Sequence, residues 1–263
     1  MFLQEAFIMK GTDIWGIVGI AIFLLLSVCG FQLYFRFHPR KEFNHVKLMT
    51  RVGIFAAMAA ILYLVDLFHF KLPFFPTFLE FHFDEVPAFI AGFAYGPLAG
   101  LAVIAIKTLI KLPFTSTLGV GELGDFLLSA IYILPCCLIY KRHRSLKGVW
   151  VGFALSTLLQ ILAAMALNVY LLIPFYVNVM GYSVQGLLAM MQRVNPAIAD
   201  VRWSYALFAV APFNALKDGI VILLTFLIYR SIHVLLHFEK TPMKESANKK
   251  KEAAVSADEE PDR

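Results

Sequence analysis

Apolar runs recur along almost the whole of this chain, and they constrain its fold more than any motif does. They lie at about Ile14–Tyr34, Leu48–Leu67, Glu85–Tyr95, Leu98–Leu112, Glu122–Tyr140, Gly148–Pro174 and Ala206–His233. A helix needs roughly 20 apolar residues to cross a bilayer, and hydrocarbon tolerates no unpaired backbone groups, so such runs fold as spanning helices. The third and fourth are short and meet at a tight Tyr95-Gly96-Pro97 turn. With 60% hydrophobic and 16% charged residues, the chain lies far from the roughly 25% charged of soluble domains. The expected fold is an all-α integral membrane protein with one membrane domain.

Orientation follows from the basic residues. Arg36, Arg40, Lys41, Lys47 and Arg51 form one cluster, and Lys141, Arg142, His143, Arg144 and Lys147 form another. Positive loops stay in the cytoplasm, and counting spans puts both clusters on that side. This predicts a multi-pass cell-membrane protein with its N-terminus outside and its C-terminus cytoplasmic. The expected organisation is residues 1–45 as an additional N-terminal transmembrane helix and linker, 46–236 as the membrane domain, and 237–263 as a disordered, charged cytoplasmic tail. The net charge of +5 gathers at helix ends, which excludes a nucleic-acid footprint. Cys29, Cys136 and Cys137 lie within apolar runs without metal-ligand spacing and read as packing residues; no metal site is expected.

Against this apolar background the polar residues stand out. Asn214, Lys217 and Asp218 interrupt the last run at spacings that share roughly one helix face. A charge at mid-membrane costs at least about 2.5–3.5 kcal/mol, so Lys217 is either a site residue or half of a structural ion pair. Lys107 reads as the second kind, paired with Asp84, Glu85 or Asp125. Glu122 opens its helix, Asn168 lies near the outer end of its own, and Asn214 and Lys217 lie in the outer half of theirs. Four scarce groups from three helices thus fall at one depth, as the wall of an outward-facing pocket requires.

The loop before Glu122 carries Thr115, Ser116 and Thr117, then Gly119, Gly121 and Gly124. The glycines match GxGxxG formally, but no strand precedes them, and no acidic residue stands about 20 positions later, so a dinucleotide site is excluded. Thr115, Ser116, Thr117, Gly121 and Glu122 either offer donors and acceptors to a small polyhydroxylated ligand or belong to an ordinary glycine-rich turn. The aromatic segment Phe70–Phe83 forms either an interfacial belt or a ligand wall, and amphipathic Tyr182–Val194 is expected as a lid or interfacial helix. Ala56 and Ala60 form a small-xxx-small pair that marks a helix contact. HExxH, Walker A and Asp-rich metal-diphosphate motifs are all absent from the sequence, so no catalytic residue is assigned and no enzyme activity is expected.

From about Val46 to Leu236 the chain resembles the riboflavin-specific substrate-binding (S) components of energy-coupling factor (ECF) vitamin transporters. The features that carry this are Phe83-Asp84-Glu85-Val86-Pro87-Ala88, Gly96-Pro97-Leu98-Ala99-Gly100, Thr115 to Leu123, Asn168-Val169-Tyr170 through Pro174, and Pro212-Phe213-Asn214 with Lys217. The resemblance implies a six-helix S-component bundle, here with one additional N-terminal helix, around a vitamin site near the outer face. Asn168, Asn214 and Lys217 would contact riboflavin, the transported ligand; no cofactor is implied. Ala56 and Ala60 would contact a transmembrane coupling subunit, and two ATPase subunits would complete the transporter. Glu80 and His82 depart from the family's pattern, where a basic and a small apolar residue are expected. The same architecture could serve another vitamin or a modified base; a membrane-embedded enzyme fits the sequence less well.

Overall fold

The computed structural model describes residues 45–68 and 71–238, with side chains at 46–65, 67–68 and 71–228. The first apolar run, Cys29 and the charged tail lie outside the described residues. What is described falls into two compact units, one reaching to Ile222 and one beginning at Leu223. The elements are helical: α1 (His45–Leu64), α2 (Glu85–Tyr95), α3 (Pro97–Lys111), α4 (Val120–Arg142), α5 (Leu146–Leu167), α6 (Ile173–Asn178), α7 (Val184–Val194) and α8 (Ala211–Phe238).

Five helical stretches among the described residues are long and apolar enough to cross a membrane. Helix α2, at 11 residues, is not: at 1.5 Å per residue it covers about half of a 30 Å hydrocarbon core. It forms instead a hairpin with α3, turned at Gly96, whose φ of 104° favours glycine. The hairpin is tight because its facing residues are small. A Cβ on Gly100 would stand 2.9 Å from the Ala88 carbonyl oxygen, and one on Gly92 would stand 2.4 Å from Cys137 Sγ of α4. Cys136 and Cys137 are buried and free, as packing residues. Phe89 of α2 sits between Tyr132 of α4 and Phe153 of α5, at centroid distances of 4.8 and 5.2 Å. Outward, Leu109, Leu158 and Leu162 are exposed, as side chains facing lipid should be.

Helix α1 packs on α2 and α3, and it turns Ala56 and Ala60 inward, at 1% and 5% exposure. Their small-xxx-small contact is therefore made within the bundle, against α2 and α3. The outward face of α1 carries Gly53, whose Cβ position is open, with Ala57 and Ile61 also exposed.

Two helices widen by one residue where a proline follows. Pro174 and Pro212 cannot donate to the backbone ladder and crowd the carbonyl four residues back. The chain answers with wider i→i−5 turns at Asn168–Leu172 and Ala206–Val210: Ile173 N–H bonds the Asn168 carbonyl and Ala211 N–H the Ala206 carbonyl. Such bulges often mark functional sites: Asn168 and Leu172 of the first line the cavity described next, and the second precedes Phe213 and Asn214, which also line it. Helix α7 lies over this end. It begins at Ser183, whose hydroxyl accepts from Gly186 N–H at 3.0 Å, and it buries Leu187 and Met191 in a cluster with Ile173, Ile198, Tyr205 and Val210. Of the two readings of the Tyr182–Val194 segment, lid and interfacial helix, this packing accords with the first.

Candidate ligand cavity

A cavity of about 540 Å³ opens between these elements, within the size range of small-molecule sites. Asn168, Asn214, Lys217, Glu122, Gly121 and Thr117 all line it. Thr115 does not: its hydroxyl instead donates to Glu122 Oε2 at 2.7 Å, beside Thr117 at 3.0 Å. The two threonines thus hold the carboxylate from behind. Their own oxygens accept from Gly119 N–H and Gly121 N–H, each at 3.0 Å, which fixes the loop at the start of α4. Gly119 caps that helix with φ +87°, and the helix N-terminus favours the Glu122 charge. The glycine run is a turn and a helix cap.

Each asparagine is held by the bundle and leaves capacity facing the cavity. Asn168 donates to the Ala164 carbonyl at 2.9 Å and accepts from Tyr205 hydroxyl at 3.2 Å. Asn214 donates to the Val210 carbonyl at 2.8 Å and accepts from Gln160 Nε2 at 2.9 Å. A carboxamide has two N–H donors and two acceptor lone pairs, so one of each remains on both residues. Lys217 donates to Glu85 Oε1 at 2.7 Å, which makes it both a cavity residue and a member of a buried ion pair. Asp218 is buried but does not line the cavity; its carbonyl accepts from Tyr132 hydroxyl at 3.0 Å.

A charge cluster larger than the sequence suggested reaches the cavity wall through His82, Asp125 and Lys217. Lys107, fully buried, bonds both Asp84 and Asp125, the latter at 2.6 Å, so its expected structural role holds. Its ammonium also stands 4.3 Å from the centre of the Tyr63 ring. His82 bonds Asp84. At Asp84, burial pushes the carboxyl upward, but His82 and Lys107 outweigh it and hold the group well below the usual carboxylate range. Donor atoms of His82, Glu85 and Asp125 lie within 4.8 Å of one another, yet Lys217 and Lys107 already bond these carboxylates, so the group is assembled as ion pairs.

Aromatic side chains complete the wall: Tyr63, Phe78, Tyr176 and Phe213 line the cavity. Phe75 packs edge-on to Phe213 at 5.3 Å, while Phe74 is 73% exposed. The aromatic segment therefore serves both readings, the cavity wall through Phe78 and the outer surface through Phe74. Sequence reasoning missed Tyr63, Gln160 and the roles of His82 and Glu85, whereas Asp84 and Asp125 were among the partners expected for Lys107. The signal of the missed residues was faint, because His82 and Glu85 lie at an aromatic loop and a helix start, where polar residues are ordinary.

Fold and site together define a multi-pass helical membrane protein whose scarce polar side chains converge on a small-molecule cavity. The family described as ECF transporter, substrate-specific component, matches residues 47–229, and the chain belongs to it. Among similar proteins, the riboflavin transporter FmnP of Bacillus subtilis is 32% identical over 69% of this chain and 88% of its own length. The riboflavin transporter RibU of Staphylococcus aureus is 30% identical over 73% of this chain and 95% of its own. A solved structure of the S component of a bacterial ECF transporter superposes with a TM-score of 0.58 at 26% identity, covering 73% of this chain and 99% of that one.

Proposed function

We propose that this chain captures riboflavin in the cavity and is the substrate-binding subunit for its uptake across the cell membrane by an ECF transporter. The observation that carries the reading is the convergence of Asn168, Asn214, Lys217 and Glu122 on one cavity with unspent hydrogen-bonding capacity. Two relatives named as riboflavin transporters, matched over most of their length, support the ligand.

The chemistry is complementary. Riboflavin presents a flat ring system, a uracil-like edge of alternating acceptors and a donor, and a chain of hydroxyls. The spare donor and acceptor on Asn168 and on Asn214 match that edge or the hydroxyls, and Lys217 donates to an oxygen. Glu122 Oε1 has no partner among the described residues and can accept from a hydroxyl. Phe78, Tyr176 and Phe213 supply apolar faces for the rings.

Energy comes from elsewhere, since the sequence holds no Walker A motif. The partners are two ATPase subunits and a transmembrane coupling subunit, and the outward α1 face at Gly53 and Ala57 is where the latter packs. The N-terminus lies outside, the cavity opens outward and the C-terminus is cytoplasmic, in accord with the basic clusters. Titration of the detergent-purified chain with riboflavin tests the assignment. Saturable quenching of flavin fluorescence is expected, and a folded protein that produces none refutes it.

A further inference from the structure

Behind the cavity wall the two asparagines are built on one plan. Asn168, which begins the first widened turn, and Asn214 of α8 each give one side-chain N–H to the backbone carbonyl four residues back, Ala164 at 2.9 Å and Val210 at 2.8 Å. Each then receives a donor on Oδ1 from a different element. For Asn168 it is the hydroxyl of Tyr205, just ahead of the second widened turn, at 3.2 Å; for Asn214 it is Gln160 Nε2 of α5 at 2.9 Å. Both asparagines line the cavity, and neither Gln160 nor Tyr205 does. Gln160 and Tyr205 are buried, at 3% and 0% exposure, so what they do for a ligand passes through the amides they hold.

A backbone carbonyl can only accept. It therefore settles which end of each carboxamide is Nδ2 and directs Oδ1 toward the neighbouring donor. Turned over, Asn214 would set Oδ1 against the Val210 oxygen, lone pair to lone pair. One N–H and one lone pair stay unspent, and their order along the wall is fixed before any ligand enters. Keeping Gln160 in this place is costly. Its Oε1 is buried with no hydrogen-bond partner, and an unsatisfied acceptor away from water destabilises the fold. A residue that served only to pack α5 would be better apolar.

We propose that Gln160 is a positioning residue for the ligand: it holds Oδ1 of Asn214 so that this carboxamide stands ordered, in a single orientation, at the wall of the empty cavity. Tyr205 does the same for Asn168. The inference rests on the riboflavin reading above and deepens it. An amide that has lost its donor is less ordered, the ligand must order it on binding, and affinity falls. Hydrogen bonds from Gln also hold membrane helices together, and the experiment separates that role from this one.

The test is a thermodynamic cycle in the detergent-purified full chain, with the riboflavin Kd read by fluorescence and the melting temperature read on the ligand-free protein. Gln160→Met removes the donor and the unpaired oxygen together at similar volume. Its Kd should rise about two- to tenfold, the scale of one neutral hydrogen bond, while the melting temperature holds or rises. The same substitution in an Asn214→Ala background should change Kd no further, because the group it positions is gone. Gln160→Leu takes its place should Gln160→Met fail to fold. A Kd within about twofold of wild type, whatever the melting temperature does, overturns the inference and leaves the riboflavin assignment standing. So does an equal loss of affinity in the Asn214→Ala background. Tyr205→Phe, with and without Asn168→Ala, puts the second asparagine to the same cycle and the same two criteria. A wild type that binds no riboflavin overturns both the inference and the reading it rests on.

Discussion

Lys217 shows how a single atom can serve the site and the scaffold together. Its ammonium lines the cavity and donates to Glu85, which is itself 3% exposed. Lys217→Met strands the Glu85 charge, and breaking a buried pair in this way costs about 3–5 kcal/mol. The single variant should lose thermal stability in detergent as well as affinity, whereas Lys217→Met with Glu85→Gln should regain stability but not riboflavin binding. Tight binding by the double variant would reduce Lys217 to a purely structural role. Thr115 gives a gentler case. It never reaches the cavity, yet its bond to Glu122 fixes the carboxylate, and a hydrogen bond to a charged group contributes about 1.5–3 kcal/mol. Thr115→Val should weaken riboflavin binding by roughly tenfold or more on that scale, read by fluorescence titration. An unchanged Kd would show that Thr117 alone suffices to hold Glu122.

At the scale of elements, the widened turns before Pro174 and Pro212 set where Asn168 and Asn214 stand. Pro174→Ala restores a donor and removes the crowding that supports the wide turn. Riboflavin affinity should fall while circular dichroism stays that of a folded helical protein; undiminished affinity would show that the turn is independent of the proline. Helix α1 separates two neighbouring alanines by role. Ala57→Trp, on the exposed face, should spare riboflavin binding and abolish uptake in cells. Ala56→Trp, in the packed interior, should reduce the yield of folded protein. Normal uptake by Ala57→Trp would remove the outward α1 face from the coupling contact.

For the molecule as a whole, the proposed partnership makes binding and energy supply separable. Reconstituted alone in vesicles, the chain should bind riboflavin and show no ATP-driven accumulation, which should appear only when ATPase and coupling subunits are added. Accumulation by the chain alone would contradict the proposed partnership. Much of this plan is legible in the sequence, because apolar length dictates helices and an isolated Asn or Lys in such a run is too costly to be incidental. Asn168, Asn214, Lys217 and Glu122 were therefore identifiable one by one. Their partners were not. Lys217 meets Glu85 from 132 positions away, and Gln160 reaches Asn214 across 54, separations on which no local periodicity bears. Nor could the sequence tell the inward face of α1 from the outward one. Lipid and protein interior are equally apolar, so an apolar helix in a membrane carries no amphipathic stripe to distinguish them. Which alanine faces the bundle, and which charge neutralises which, was decided only when the helices packed.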